Sequence, residues 1–391
     1  MELYTLDASL RRVEVVDKFE SLIWTERFRE MGDFELLVES TAENRRRLAA
    51  GTKLALSASY RMMEVETITD TRNDDGKKVL KIVGPESVRV LEDRLAKATK
   101  GTLLADPKWT LTGTPGFIAR KIFTDICVTG ILSPGDVIPF IQSGSLFPPS
   151  TIPEPATSIT WVVEPKSVYE AIKEICDTYD LGFRLVRNFD ASQLYFDIYA
   201  GDDRTTSQTT LSPVVFAPEL DNLQNTSELN TYAGHKNVAY VYSDQGYVEV
   251  MNEGEDPDIS GFDRKVLYVA AANLEGTPTA PQITTYLTQI GLAELAKCRP
   301  LTAFDGEINQ NSTYKYGIHY NLGDLVELRN SDGATNRMRV TEQIFVSDEA
   351  GDRQYPTLAM NLFITPGSWF AWDYNQIWAD LGLTEYWGNA P

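Results

Sequence analysis

The sequence predicts a mainly β protein with α+β insertions, in which antiparallel β-barrel domains at the two ends flank smaller lateral α+β domains. Three observations predict it. Short runs rich in Val, Ile, Tyr, Phe and Thr, bounded by Gly, Asn and Asp, fill both ends of the chain. Two amphipathic helix patterns, each beside a hairpin pattern, occupy the middle. A short internal echo relates the two ends.

At the amino-terminal end, Phe34 to Val38 is an apolar run after Gly32-Asp33. Glu64 to Thr69 and Val79 to Val83 flank an Asn73-Asp74-Asp75-Gly76 turn, the chemistry that joins antiparallel strands. Helices are expected near Ala42 to Ala50, stopped by Gly51, and from about Glu86 to Ala98, stopped by Gly101. From Ser133 to Pro155 the chain carries Pro134, Pro139, Pro148, Pro149, Pro153 and Pro155, which excludes regular helix and disfavours central strands. A long loop or arm that meets a neighbouring subunit is expected there.

The clearest helix follows. Val168, Ala171, Ile172, Ile175, Cys176 and Tyr179 share one face, Ser167 and Glu170 form a capping-box pair, and Gly182 lies past the end. Strands at Phe183 to Val186 and Leu194 to Tyr199 should cover that face. A second hairpin is expected at Val238 to Tyr242 and Tyr247 to Val250 around Asp244-Gln245-Gly246, and a second helix at about Pro281 to Lys297, with strands resuming to near Ile364.

The echo sets Gly51-Thr52-Lys53-Leu54-Ala55-Leu56, Arg61 to Ile68 and Gly76 beside Gly323-Asp324-Leu325-Val326-Glu327-Leu328, Arg337 to Ile344 and Gly351. Two related barrels per chain would let three chains close a ring of approximate sixfold symmetry. The expected organisation is residues 1–100, β-barrel; 101–160, Pro-rich loop or arm; 161–215, small α+β domain; 216–300, a second lateral or connecting α+β domain; 301–365, β-barrel; and 366–391, an aromatic-rich docking segment.

Composition narrows the function. The 391 residues exceed one hydrophobic core, and 42% hydrophobic residues exclude a disordered chain. With 56 acidic against 36 basic side chains the net charge is −20, which repels phosphates and argues against ordinary nucleic-acid binding. The same field suits a wall past which DNA slides. Cys127, Cys176 and Cys298 are odd in number and far apart, the pattern of buried thiols and not of a disulfide framework or zinc site. Met1-Glu2-Leu3-Tyr4 opens no signal peptide, and no run approaches the ~20 apolar residues of a membrane span. Synthesis in a cytoplasm, with later location set by assembly, is expected.

Chemistry-bearing motifs are sparse. His235 and His319 have no partner at metal-ligand spacing, and no nucleophile elbow, phosphate loop or dinucleotide fingerprint occurs. Asp202, Asp203, Glu253 and Asp263 read as solvated loop acids, not as a glycosidase pair. The acidic stretch Glu253 to Asp263 lacks the ligand order of a calcium loop. No catalytic, cofactor-binding or metal-ligating residue is assigned. Near the end, Trp369, Phe370, Trp372, Tyr374, Trp378, Tyr386 and Trp387 crowd together. Of these, Trp369, Phe370, Trp372, Trp378 and Trp387 are expected to dock a partner, with self-packing and glycan stacking as the other readings.

Ser21-Leu22-Ile23-Trp24-Thr25-Glu26-Arg27 leads to Gly32-Asp33-Phe34-Glu35-Leu36. Tyr199-Ala200-Gly201-Asp202-Asp203-Arg204-Thr205, Pro213-Val214-Val215-Phe216 and Leu322-Gly323-Asp324-Leu325-Val326 follow in that order. Together these resemble the siphovirus minor tail proteins of actinobacterial phages, over about Met1 to Thr365. The resemblance implies a hub-type protein of the tail tip in the virion: a homotrimer of paired β-barrels below a sixfold tail tube, adapting sixfold to threefold symmetry. Its implied partners are distal tail and tail-tube proteins, other minor tail or receptor-binding proteins and a tape measure protein, with phage DNA passing through unbound. A tail-associated cell-wall hydrolase, or a receptor-binding tail protein using the terminal aromatics, are the alternatives.

Overall fold

A computed structural model gives the fold and describes residues 1–72, 76–99, 109–189, 192–252, 255–274, 277–308, 314–329 and 335–361. The chain divides into two units, one running mainly through Met1–Asn230 and Thr302–Met360, the other through Thr231–Leu274 and Pro278–Leu301.

The first unit begins with β1 (Leu3–Leu6), β2 (Arg12–Val16), β3 (Ser21–Arg27) and β4 (Asp33–Glu39). Then come α1 (Ala42–Arg47), β5 (Lys53–Leu56), β6 (Met62–Glu64), β7 (Thr67–Arg72) and β8 (Lys78–Pro85). Alternation decides which face of β4 is buried: Phe34, Leu36 and Val38 point inward between exposed Asp33 and Glu39. Those residues join Leu22, Trp24, Leu54, Met63, Ile82 and Phe345 in one core.

Next come β9 (Trp109–Gly113), α2 (Pro115–Phe123), β10 (Ile141–Ser143), β11 (Ile159–Val163), α3 (Val168–Tyr179), β12 (Gly182–Asn188), β13 (Gln193–Tyr199), β14 (Val215–Phe216) and β15 (Leu223–Thr231). The α3 expectation holds in detail: Ser167 Oγ accepts from Glu170 N, and Ile172, Ile175 and Cys176 are fully buried. α2 has Thr114 as N-cap and Pro at its first position, and Phe123 stacks on Phe196 of β13 at 4.0 Å between ring centres. The stretch 101–160, expected as a Pro-rich arm, thus holds β9 and α2. Its later part lies along the α+β layer, with β10 parallel to β13 and Arg120 bound twice by Glu154.

The second unit contains β16 (Val238–Ser243), β17 (Gly246–Met251), β18 (Val266–Ala270) and α4 (Ala280–Ala296). Its sheet order is β17-β16-β18. The helix lies so close that a Cβ on Gly291 would meet Val250 at 2.8 Å and Val241 at 3.0 Å. The chain then supplies β19 (Leu301–Ile308), β20 (Leu325–Arg329), β21 (Thr335–Asp348) and β22 (Gly351–Asn361).

Two expectations need correction. The helix from Glu86 to Ala98 is only a 3₁₀ turn over Ser87–Leu91. Beyond it the backbone pairs elsewhere, Ala96 N donating to Lys166 O and Val168 N to Arg94 O, and those long-range bonds displace helical ones. The ends also do not fold as separate barrels: among the described residues no sheet closes on itself. One open ten-stranded sheet follows the path β15-β19-β22-β21-β3-β4-β8-β7, with β20 beside β21 and β14 beside β20, and a separate sheet runs β2-β1-β5-β6. The cause is β21. One edge of it pairs with β22, while the other pairs with β20 over residues 335–339 and with β3 over 342–348, so the two ends continue into each other.

Candidate assembly interface

Two buried polar clusters gather the sequence motifs. In the first, the segment after β13 lies against the entry to β20. Asp202 O accepts from Leu325 N at 2.8 Å and Leu325 O from Arg204 N at 2.8 Å. Asp324, 2% exposed, accepts from Asp202 N at 2.9 Å, Asn321 N at 2.8 Å and Arg204 Nε at 3.0 Å. Burial still pushes its carboxyl up to about 6. The backbones approach so closely that a Cβ on Gly201 would sit 2.0 Å from Gly323 O. Beside them Arg339, 4% exposed, donates to Ala200 O, Gly323 O and Asp180 Oδ2, and burial lowers its pKa despite the Asp180 carboxylate. Asp203 is likewise held, accepting from Thr205 and Arg337. Asp202 and Asp203, read from sequence as solvated loop acids, therefore fasten the central region to the carboxy-terminal strands.

The second cluster sits under the β3–β4 hairpin. Arg61 Nη1 is 2.8 Å from Glu86 Oε2 and its Nε 3.7 Å from Glu26 Oε2, all three side chains under 5% exposed. Glu86 also accepts from Gly32 N, and Glu26 from Trp24 Nε1, Ser59 Oγ and Tyr316 OH. Burial raises the Glu86 pKa, partly offset by Arg61. Most donors and acceptors in both clusters bond to one another, which ties together elements distant in the chain. His235 Nδ1 meets Cys298 O, His319 Nδ1 accepts from Lys315 N, and no metal-binding group of His, Cys, Asp or Glu occurs among the described residues.

The internal echo is a structural repeat. Gly51 (φ +84°) and Gly323 (φ +89°) lead into β5 and β20. Gly51 N donates to Val65 O at 2.8 Å and Val65 N to Thr52 O at 2.9 Å. Gly323 N donates to Val340 O at 2.8 Å and Val340 N to Asp324 O at 2.9 Å. Leu54 faces Met63 as Val326 faces Met338, all four buried. These bonds match Val65 with Val340, one residue away from the register read in the sequence. Thr67 then pairs with Val83 as Glu342 pairs with Thr357, and the turns end at Gly76 and Gly351, both left-handed. Chain order repeats too: β3, β4, β5, β6–β7, β8 against β15, β19, β20, β21, β22. The second unit is inserted in the chain between β15 and β19.

Within this repeat one edge differs. Residues 342–348 of β21 are covered by β3, whereas the equivalent β7 has β8 on one side and no described strand on the other. All six β7 residues are exposed. The polar run Thr67-Ile68-Thr69-Asp70-Thr71-Arg72 was the available signal for such an edge, because charged and polar strands are found where a sheet ends. The expected docking residues Trp369, Phe370, Trp372, Trp378 and Trp387 lie outside the described residues.

A family model described as Siphovirus ReqiPepy6 Gp37-like protein matches residues 1–357. The chain belongs to that family. This Gp37-like chain also shares its fold with solved phage tail proteins. The tail protein from Neisseria meningitidis MC58 is 12% identical, with a TM-score of 0.54 over 93% of this chain and 98% of that one. The 43 kDa tail protein of prophage MuSo2 from Shewanella oneidensis is 13% identical, with a TM-score of 0.52 over 92% and 97%. No curated protein matches by sequence. No helix among the described residues of this Gp37-like protein is long and apolar enough to cross a membrane.

Proposed function

We propose that this siphovirus protein is a structural hub of the tail tip, three copies of which form a ring below the tail tube. The free β7 edge carries the reading. Inside one chain, β3 of the amino-terminal half covers β21 of the carboxy-terminal half. By the repeat, β15 stands where β3 stands, so β15 of a second copy is the strand that fits β7. Such a contact is heterologous: each copy offers one edge and receives the other, and it closes only at a fixed number of copies. Two repeats per chain and three chains give six equivalent positions, which suits a sixfold tube above and threefold partners below. The barrels expected at each end are then completed between chains.

In this role the distal tail and tail-tube proteins lie above, and other minor tail or receptor-binding proteins attach outside. A tape measure protein and then DNA pass through the centre. The net charge of −20 favours passage of DNA without capture. The protein acts by geometry, and purified protein leaves host peptidoglycan intact in a zymogram.

Prolines on β7 test the ring. Successive residues direct their N–H groups to opposite edges, so of Thr69→Pro and Asp70→Pro one removes the outward backbone donor and leaves the β8 ladder intact, an exposed Arg45 ion pair being lost as well if it is Asp70. That variant keeps the melting temperature of the monomer and loses the trimer in light scattering. A wild-type chain that stays monomeric at high concentration, or virion maps with this chain off the tail axis or in a copy number not divisible by three, would overturn the proposal.

A further inference from the structure

Away from that edge, the second unit carries a surface of a different kind. α4 covers one face of its sheet, packing on Val241 and Val250, so side chains of opposite parity on the strands face away from the helix. Four of those side chains are tyrosines: Tyr240, Tyr242, Tyr247 and Tyr268. Tyr242, Tyr247 and Tyr268 are 42%, 66% and 68% exposed. Tyr242 stacks on Tyr247 at 5.4 Å and 19°, and lies 5.7 Å from Tyr268 at 32°. None of the three hydroxyls has a hydrogen-bond partner among the described residues.

Beside them is a hollow of about 320 Å³, lined by Tyr242 and Tyr268 together with Ser243, Asp244 and Asn273. Its rim is fixed. Asp244 N donates to Asn273 Oδ1 at 3.0 Å and Asn273 Nδ2 to Asp244 Oδ2 at 3.2 Å. The neighbouring Gln245 clasps the Leu274 backbone through both its donor and its acceptor. The Asp244–Asn273 pair leaves the second carboxylate oxygen of Asp244 available.

We infer that this hollow binds an uncharged oligosaccharide. Flat aromatic faces accept the C–H side of a sugar ring, while the fixed Asp244 carboxylate, the Asn273 amide and the tyrosine hydroxyls accept from and donate to its hydroxyls. The volume is at the small end of ligand sites, the size of one or two sugar rings. Charge selects within the class. Asp244 lines the hollow, and the Arg264 guanidinium beside the tyrosine face is engaged by Glu249 and Tyr240. A phosphate or acidic sugar would meet a carboxylate, with no Lys or Arg among the described residues that line the hollow. The inference is independent of the ring, since every residue in it belongs to one unit of one chain.

The test uses the full-length chain and an array of neutral and acidic microbial oligosaccharides, with hits measured by saturation-transfer NMR. Neutral members bind and acidic ones do not. Tyr268→Ser and Asp244→Ala each weaken binding by about tenfold or more, while Tyr232→Ser, at an exposed tyrosine outside the hollow, leaves it unchanged. All three variants keep the wild-type melting temperature. The inference fails if no neutral oligosaccharide binds, if Tyr268→Ser and Asp244→Ala bind as the wild type does, or if footprinting finds Tyr242 and Tyr268 covered by another protein in the intact virion.

Discussion

Glu342 and Arg27 face each other across the seam between β21 and β3, and a 2.7 Å ion pair from Arg27 Nε to Glu342 Oε2 adds a side-chain tie to the backbone pairing. Arg27 also donates to Met31 O and Asp33. This is the junction, between residues 315 apart in sequence, at which two structural repeats become one sheet.

Arg27→Ala therefore removes three contacts at once and should destabilise the first unit by about 1–2 kcal/mol. Glu342→Ala removes one and should cost less. The double variant should show coupling of roughly 1 kcal/mol. Denaturant midpoints with additive effects would show that the pair does not contribute to the seam.

The glycines of the repeat separate backbone strain from crowding. Gly51 and Gly323 have nearly the same φ, but a Cβ on Gly51 meets nothing within 4 Å, whereas one on Gly323 falls 2.6 Å from the Phe28 ring. Gly51→Ala should cost about 1 kcal/mol. Gly323→Ala should cost roughly 3 kcal/mol or leave the chain insoluble. Equal losses in thermal melting would contradict this difference in surroundings.

Arg61 is the cation shared by two buried carboxyl groups, Glu26 and Glu86. Arg61→Met should destabilise by about 3–5 kcal/mol, because Glu26 and Glu86 are left without their cation. Adding Glu26→Gln and Glu86→Gln should recover much of that loss. A triple variant no more stable than Arg61→Met would show that packing of the arginine, not its charge, is what matters.

Asp324 makes stability depend on pH. Its carboxyl lies at about 6 in the folded protein against 3.8 ordinarily, so the folded state favours the protonated form. That contribution, roughly 3 kcal/mol, is complete below pH 4 and is lost as pH rises through about 6. Between pH 4 and 7 the melting temperature of Asp324→Asn should fall less than that of the wild type. Parallel curves would show that Asp324 does not titrate in this range.

Much of the local structure was legible. The spacing from Val168 to Tyr179 with its Ser167–Glu170 cap specified α3, and the Asp244-Gln245-Gly246 turn specified the β16–β17 hairpin. In each case the hydrogen bonds that decide the element lie within a few residues. The motif residues were legible as a set, but not the way they meet: Asp202 and Asp203 look like surface acids until Gly323 and Asp324 are brought against them.

The sequence by itself determined which segments form strands and helices, which faces of them are apolar, that the two ends are related, and that the surface is acidic. Those properties follow from side-chain periodicity, turn chemistry and charge, which act over short distances or in bulk. Only the tertiary structure decided that β21 takes β3 as a neighbour and that the repeat is shifted by one residue. It also decided that the chain after Leu91 leaves its helix to pair with the segment before α3, and that one edge of β7 has no described strand beside it. Strand pairing is a choice among distant backbones with identical hydrogen-bonding groups, and it is settled by which arrangement buries Phe345 with Trp24 and Asp324 with Arg204 at the same time.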